Sequence, residues 1–176
     1  MPINNVDLDS VVGLVGAIQS EPARAATTWS ASVQWNGGFR AETRIRDFAP
    51  VPSDEPPGLG GTDTAPNPVE QLLGALGTCL AVGYAANASV AGIELSSLQI
   101  ELSGELDLHT FLGLESGHAG FSSIRASVAI ESDATPEALE ALHAKVTATS
   151  PVGHTLERAI PVSIDLEDTT AAEAVA

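Results

Sequence analysis

Apolar residues recur every three or four positions over residues 6–18, at Leu8, Val11, Val12, Val15 and Ile18. That period predicts a helix, and Glu21-Pro22 stops it. The period then changes to two. Trp29, Ala31, Val33 and Trp35 alternate with Ser30, Ser32 and Gln34, the pattern of a half-buried strand. Asn36-Gly37-Gly38 accepts positive φ and predicts a hairpin turn. On the return strand, Phe39, Ala41, Thr43 and Ile45 lie on one face, with Arg40, Glu42, Arg44 and Arg46 on the other. Residues 49–66 hold five prolines and three glycines and read as one long loop, of a length that often carries function.

A long helix follows. Asn67 is a good N-cap, Pro68 suits the first helical position, Glu70 completes a capping-box arrangement, and Gly92 is a natural stop. Residues 71–93 carry no charge, so the helix reads as buried on all sides. Leu72, Leu76, Cys79, Gly83, Ala86 and Val90 form one seam, whose small residues admit a second helix closely. Two alternating runs come next, one with Leu98, Ile100, Leu102, Leu106 and Leu108, the other with Ile124, Ala126, Val128 and Ile130. Thr135-Pro136-Glu137 opens a second helix with Leu139, Leu142 and Val146 inward, ended by Ser150-Pro151. Ile160, Val162, Ile164 and Leu166 give a last strand. Helices do not alternate regularly with strands, so the class is α+β. The organisation is a helical extension over 1–24, one domain over 25–168 and a flexible tail over 169–176.

Composition narrows the function classes. The 176 residues include seven Lys and Arg against 23 Asp and Glu, a net charge of -16. That balance argues against nucleic acid and anionic membrane surfaces, both of which select clustered cations. The uncharged stretch has no flanking Lys or Arg, so it reads as a protein core rather than a membrane span. The four histidines lack ligand spacing and no phosphate or dinucleotide fingerprint appears, so neither metal nor cofactor is expected. One cysteine and no basic N-terminal leader fit a reducing cytoplasm.

That one cysteine, Cys79, is either an inert core residue or a reactive sulfur. An apolar setting alone disfavours the thiolate, so a reactive Cys79 needs a cation, and the arginine strand offers one. Its structural alternative is a solvated sheet face. Glu70 cannot reach Cys79 within one helix: nine residues place the two about 180° apart around the axis and about 13 Å apart along it. Any role for Glu70 beyond capping requires an arginine arriving from another element or another subunit.

Three stretches carry a resemblance. Asn67-Pro-Val-Glu-Gln-Leu-Leu with Gly77-Thr-Cys79, then Ser150-Pro-Val-Gly-His-Thr-Leu156, in this order and spacing, resemble the OsmC/Ohr family of osmotically inducible and organic-hydroperoxide-resistance proteins. The similarity runs over about 28–166 and takes in Trp35-Asn-Gly-Gly-Phe-Arg40 and Gly60-Gly-Thr-Asp63. It implies an antiparallel sheet wrapped around long central helices in an intertwined homodimer, with active sites at the subunit interface. It further implies Cys79 as peroxidatic thiol, Arg40 as the arginine that holds the thiolate, with Arg44 a rival, and Glu70 as that arginine's partner. Glu70 stands one position later than the glutamate of Ohr members. Ser150 occupies the place of the second cysteine, so the resemblance is to a branch without an internal resolving thiol. The expected activity is thiol-dependent reduction of organic hydroperoxides with an external thiol reductant, in defence against oxidative or osmotic stress. The alternatives are a non-catalytic dimer that binds an apolar small molecule or protein, and an acidic structural stress protein. His154 is a further candidate proton donor beside a surface reading.

Overall fold

The protein, a computed structural model, is described over residues 2–167. Expectations for the tail, 169–176, lie outside the described residues. The first helix, Leu8–Ser20 (α1), starts where the Asp7 side chain accepts from the Ser10 N–H at 3.1 Å. Ahead of it, Asn4 in a left-handed conformation pins the N-terminus to the end of the long helix. It donates to Ser89 Oγ and the Ile93 carbonyl and accepts from the Leu95 N–H.

Three short strands form an antiparallel sheet in the order β1-β2-β3: Ser32–Trp35 (β1), Ala41–Arg44 (β2) and Val51–Ser53 (β3). The hairpin turn forms as expected, with Gly37 and Gly38 at φ of 90° and 60°. The strands differ from their sequence reading in three ways. β1 is exposed throughout rather than half-buried, because none of the described residues covers its faces. β2 ends at Arg44, and Arg46 adopts φ 49° and lays its guanidinium over the Phe48 ring, so the four-residue polar face is not continuous. β3 arises inside the proline-rich segment read as plain loop. Pro52 is tolerated there because β3 is an edge strand, which leaves the missing N–H without a ladder partner to disappoint.

The long helix, Pro68–Val90 (α2), has the predicted capping box: Asn67 Oδ1 accepts from the Glu70 N–H at 2.9 Å, and Glu70 Oε2 from the Asn67 N–H at 2.8 Å. Gly92, in the left-handed region, turns the chain out. The second sheet is the antiparallel pair Ser97–Glu105 (β4) and Ser123–Glu131 (β5). Leu98, Ile100 and Leu102 pair with Ile130, Val128 and Ala126 and turn one apolar face to α2. The first of these strands was expected to reach Leu108. Instead, the Asp107 carboxylate accepts from the His109 N–H and opens a short helix, Leu108–Phe111 (α3). Pro136–Thr147 (α4) follows as expected. A second helix, Pro151–Glu157 (α5), then starts where the sequence suggested only a stop.

The core gathers Leu76, Leu80, Tyr84 and Ala88 of α2 with Leu142 and Val146 of α4. This stripe, spaced by four, is not the predicted seam. Of the seam, Leu76 is buried and Gly83 meets Val146, but Leu72 and Val90 face outward and Cys79 is half-buried. The helix is therefore not covered on all sides by its own chain: Val82 is 70% exposed and Val90 69%. Residues 160–166 correct the sequence reading as well. They form no strand, since none of the described strands lies beside them, and Ile164 is 92% exposed.

Candidate functional site

Cys79 lies midway along α2, where the helix turns from its packed face to its open one. Its sulfur sits in an open apolar recess of about 650 Å³, lined by Trp29, by Ala75 and Val82 of α2, by Val146 of α4, and by Pro151 and Val152 of α5. Among the described residues no charged side chain lines this recess. Among the described residues, the one polar group within hydrogen-bond reach of Sγ is Ser150 Oγ, at 3.4 Å.

Ser150 is held firmly. It is the N-cap of α5, its Oγ accepts from the Gly153 N–H at 3.1 Å, and Pro151 supplies the fixed φ of the first helical position. α4 delivers it: Val146 packs against Gly83, where a Cβ would come within 3.0 Å of Val146 Cγ1, so the helices cross closely just before the chain turns at Ser150. The sequence singled out Ser150 as a substituted cysteine and, with Pro151, as a helix stop, and the second helix that orients its hydroxyl was not anticipated.

The other predicted site residues stand apart from Cys79 within one chain. Arg40 is exposed in the β1–β2 turn, where its backbone closes the turn through the Gly37 carbonyl and the Asn36 N–H. Arg44 is ion-paired with Glu42 on its own strand. Glu70 is engaged in the capping box, beside a separate depression that includes Asp63, Pro66 and Leu73. His154 is half-buried on α5 and does not line the Cys79 recess.

One polar centre was not anticipated from the sequence. Asp54 is 1% exposed, and its carboxylate accepts from five donors: the N–H of Glu55, Thr62 and Thr64 and the hydroxyls of Thr62 and Thr64, at 2.6 to 3.1 Å. The Thr62 hydroxyl, ahead of the other donors, holds its carboxyl far below the usual carboxylate range. The loop closes so tightly that a Cβ on Gly61 would fall 1.8 Å from the Glu55 carbonyl oxygen. This ring of bonds accounts for Gly61 and Thr62 of the Gly60-Gly-Thr-Asp63 stretch. The only sequence cue was the paired Thr62 and Thr64 within reach of an aspartate.

Comparison with known proteins places this arrangement. No curated protein matches the sequence. The OsmC like protein of Mycoplasma pneumoniae superposes with a TM-score of 0.65 at 17% identity, over 74% of this chain and 88% of that one. An organic hydroperoxide resistance protein OsmC from Legionella pneumophila gives a TM-score of 0.55 at 18% identity, covering 74% and 91%. That of Elizabethkingia anophelis, with thiocyanate bound, gives 0.54 at 16%, covering 73% and 88%. At these identities the likeness establishes the fold. The sequence profile described as OsmC-like protein matches residues 61–165, from the Gly61 loop through α2, the second sheet, α4 and α5. With most of its length inside that profile, this chain belongs to the OsmC-like family.

Proposed function

We propose that the protein is a one-cysteine thiol peroxidase that reduces organic hydroperoxides, with Cys79 as the peroxidatic thiol and a second copy of the chain completing the site. The observation that carries this reading is the setting of Cys79: a half-buried sulfur in an apolar recess, within reach of a hydroxyl, on the one face of α2 that its own chain leaves open. In the reaction, the thiolate attacks the distal oxygen of the hydroperoxide. An S–O bond forms as the O–O bond breaks, and the departing alkoxide takes a proton to become the alcohol. With serine at position 150, the sulfenic acid is reduced from outside. One thiol displaces water to give a mixed disulfide, and a second releases Cys79.

The arginine belongs to the partner in this reading. The first sheet carries Arg40 and Arg44 and exposes Val33, Trp35 and Phe39, while α2 exposes Val82 and Val90. Apolar surface of this extent on a folded chain marks an interaction site. The unpaired alternation at 160–166 offers a strand for β-addition to a second copy. Packing one copy's first sheet over the other's α2 brings a guanidinium to a sulfur that lacks one, and leaves Glu70 beside the joint. A reducing cytoplasm keeps the thiol available.

A second reading has one observation in its favour: among the described residues no charge lines the recess, as in a pocket that simply holds an apolar molecule. Turnover separates the two. Cumene hydroperoxide with a small dithiol is consumed rapidly by the wild type and not by Cys79→Ser. Equal rates for both proteins would overturn the peroxidase and leave the binder.

A further inference from the structure

We propose that Ser150 is the positioning residue of the Cys79 sulfur, a hydrogen-bond donor that holds the thiolate before attack and the sulfenic acid after it. The inference rests on the peroxidase reading and deepens it. A serine hydroxyl has one proton and two lone pairs. One lone pair of Ser150 Oγ is taken by the Gly153 N–H at 3.1 Å, which fixes the oxygen in place. Cys79 Sγ at 3.4 Å is its other partner among the described residues, so the hydroxyl proton is free to point at sulfur. Ser150 is 5% exposed, and solvent therefore competes weakly for that proton. A donor already aimed and desolvated stabilises a half-buried anion without reorganising, which is how preorganised donors act in reaction sites.

The same hydroxyl serves the neutral thiol by accepting its S–H, then rotates to donate once the proton is gone. When the thiolate takes the distal oxygen of a hydroperoxide, the O–O bond breaks and the alkoxide leaves as alcohol. The new sulfenic acid then stays against a group that cannot form an S–S bond and remains open to an external thiol. The two other hydroxyls that line the recess are spent on backbone carbonyls, Thr78 on those of Gly74 and Ala75 and Thr149 on that of Lys145, so among the described residues Ser150 alone bonds the sulfur. Glu137, Glu140, His143 and Lys145 of α4, and His154 and Glu157 of α5, all lie outside the recess lining. Glu157 sits instead at a separate cavity behind Ser150, and His143 is bonded to the Tyr84 hydroxyl.

Gly153 gives an independent handle. A Cβ there would stand 3.1 Å from Ser150 Oγ and 3.2 Å from its Cβ, so Gly153→Ala displaces the hydroxyl without removing it. Alanine also favours the helix, which keeps α5 formed.

The experiment follows the rate of Cys79 alkylation by iodoacetamide across pH 5–10, with hydroperoxide turnover measured on the same proteins. Ser150→Ala and Gly153→Ala each slow alkylation at neutral pH about tenfold and move the profile to higher pH, the scale of one charge-assisted hydrogen bond. Ser150→Thr, which keeps the hydroxyl, restores most of it. Circular dichroism and melting identify any variant that has lost α5, and Gly153→Ala carries the test if Ser150→Ala has. Unchanged profiles in both variants, with Cys79-dependent turnover intact, overturn the role of Ser150 and leave the peroxidase standing. Shifted profiles without turnover in the wild type keep Ser150 as the sulfur's donor and end the peroxidase reading.

Discussion

The approach of α4 to α2 sets where Ser150 meets Cys79, and Gly83 controls it. In Gly83→Ala the added Cβ lands 3.0 Å from Val146 Cγ1, against a comfortable carbon–carbon separation of about 3.5–4.0 Å. Val146 is 1% exposed, and its β-branched side chain has one strongly preferred helix rotamer, so it cannot swing away. Overpacking of this kind costs about 1–3 kcal/mol. Replacing glycine by alanine inside a helix returns about 1 kcal/mol. The net expectation is a loss of about 1 kcal/mol. Val146→Ala alone removes two buried carbons and costs about 2 kcal/mol. In that background the alanine at 83 fills vacated space and stabilises by about 1 kcal/mol, which makes the coupling energy about 2 kcal/mol. Urea unfolding of all four proteins, at one fixed protein concentration, measures the cycle. Additivity within about 0.5 kcal/mol, or a wild-type background in which Gly83→Ala stabilises, would refute the close crossing.

The Asp54 ring gives a pH signature. Its carboxyl is depressed in the folded state, so the stability it contributes is complete above its unfolded value near 3.9 and is lost as pH falls toward the folded value. Asp54→Asn accordingly lowers stability at pH 7, and its difference from wild type shrinks on acidification to about pH 3; a difference that grew with acid would contradict the assignment. Ser150→Cys places a second sulfur where an oxygen now stands 3.4 Å from Sγ, against an S–S bond of about 2.05 Å. One equivalent of hydroperoxide then yields an intrachain disulfide with release of water, detected by mass as the loss of two hydrogens; an open sulfenic acid in this variant would count against the geometry. Ile164→Lys tests the second copy. The side chain is exposed in one chain, so substitution changes nothing unless the segment pairs elsewhere, and sedimentation equilibrium is expected to show dimer dissociation at least tenfold easier.

The long helix was legible because its signals are local. Asn67, Pro68 and Glu70 act within one turn, and Gly92 terminates the helix by its own backbone freedom. The β4–β5 pair and α4 were legible for the same reason, since each carries its period over a full element. What the sequence hid depends on distant residues. Asp54 is satisfied by Thr62 and Thr64 across a tight loop, and no periodicity announces such a ring. β3 forms despite Pro52 because its position at a sheet edge, not its composition, decides the matter. The reading of α2 as buried on all sides failed instructively. An uncharged helix reports that its surroundings are apolar without saying whether its own chain supplies them, and here Val82 and Val90 are left bare. For the site, Cys79 was visible as the lone thiol and Ser150 as a departure from a motif. Their contact was not, because it is made by the α4–α5 turn. Arg40 and Glu70 remain apart from Cys79 in one chain, which is where the proposed dimer bears its weight.

The central claim is that Cys79 is oxidised by hydroperoxide rather than merely buried beside it. Intact-mass spectrometry after mixing the reduced protein with one equivalent of cumene hydroperoxide, in the presence of dimedone, tests it directly. The account predicts a single dimedone adduct that maps to Cys79, forms within seconds and is absent from Cys79→Ser. A wild-type protein that remains unmodified while the hydroperoxide persists would contradict it.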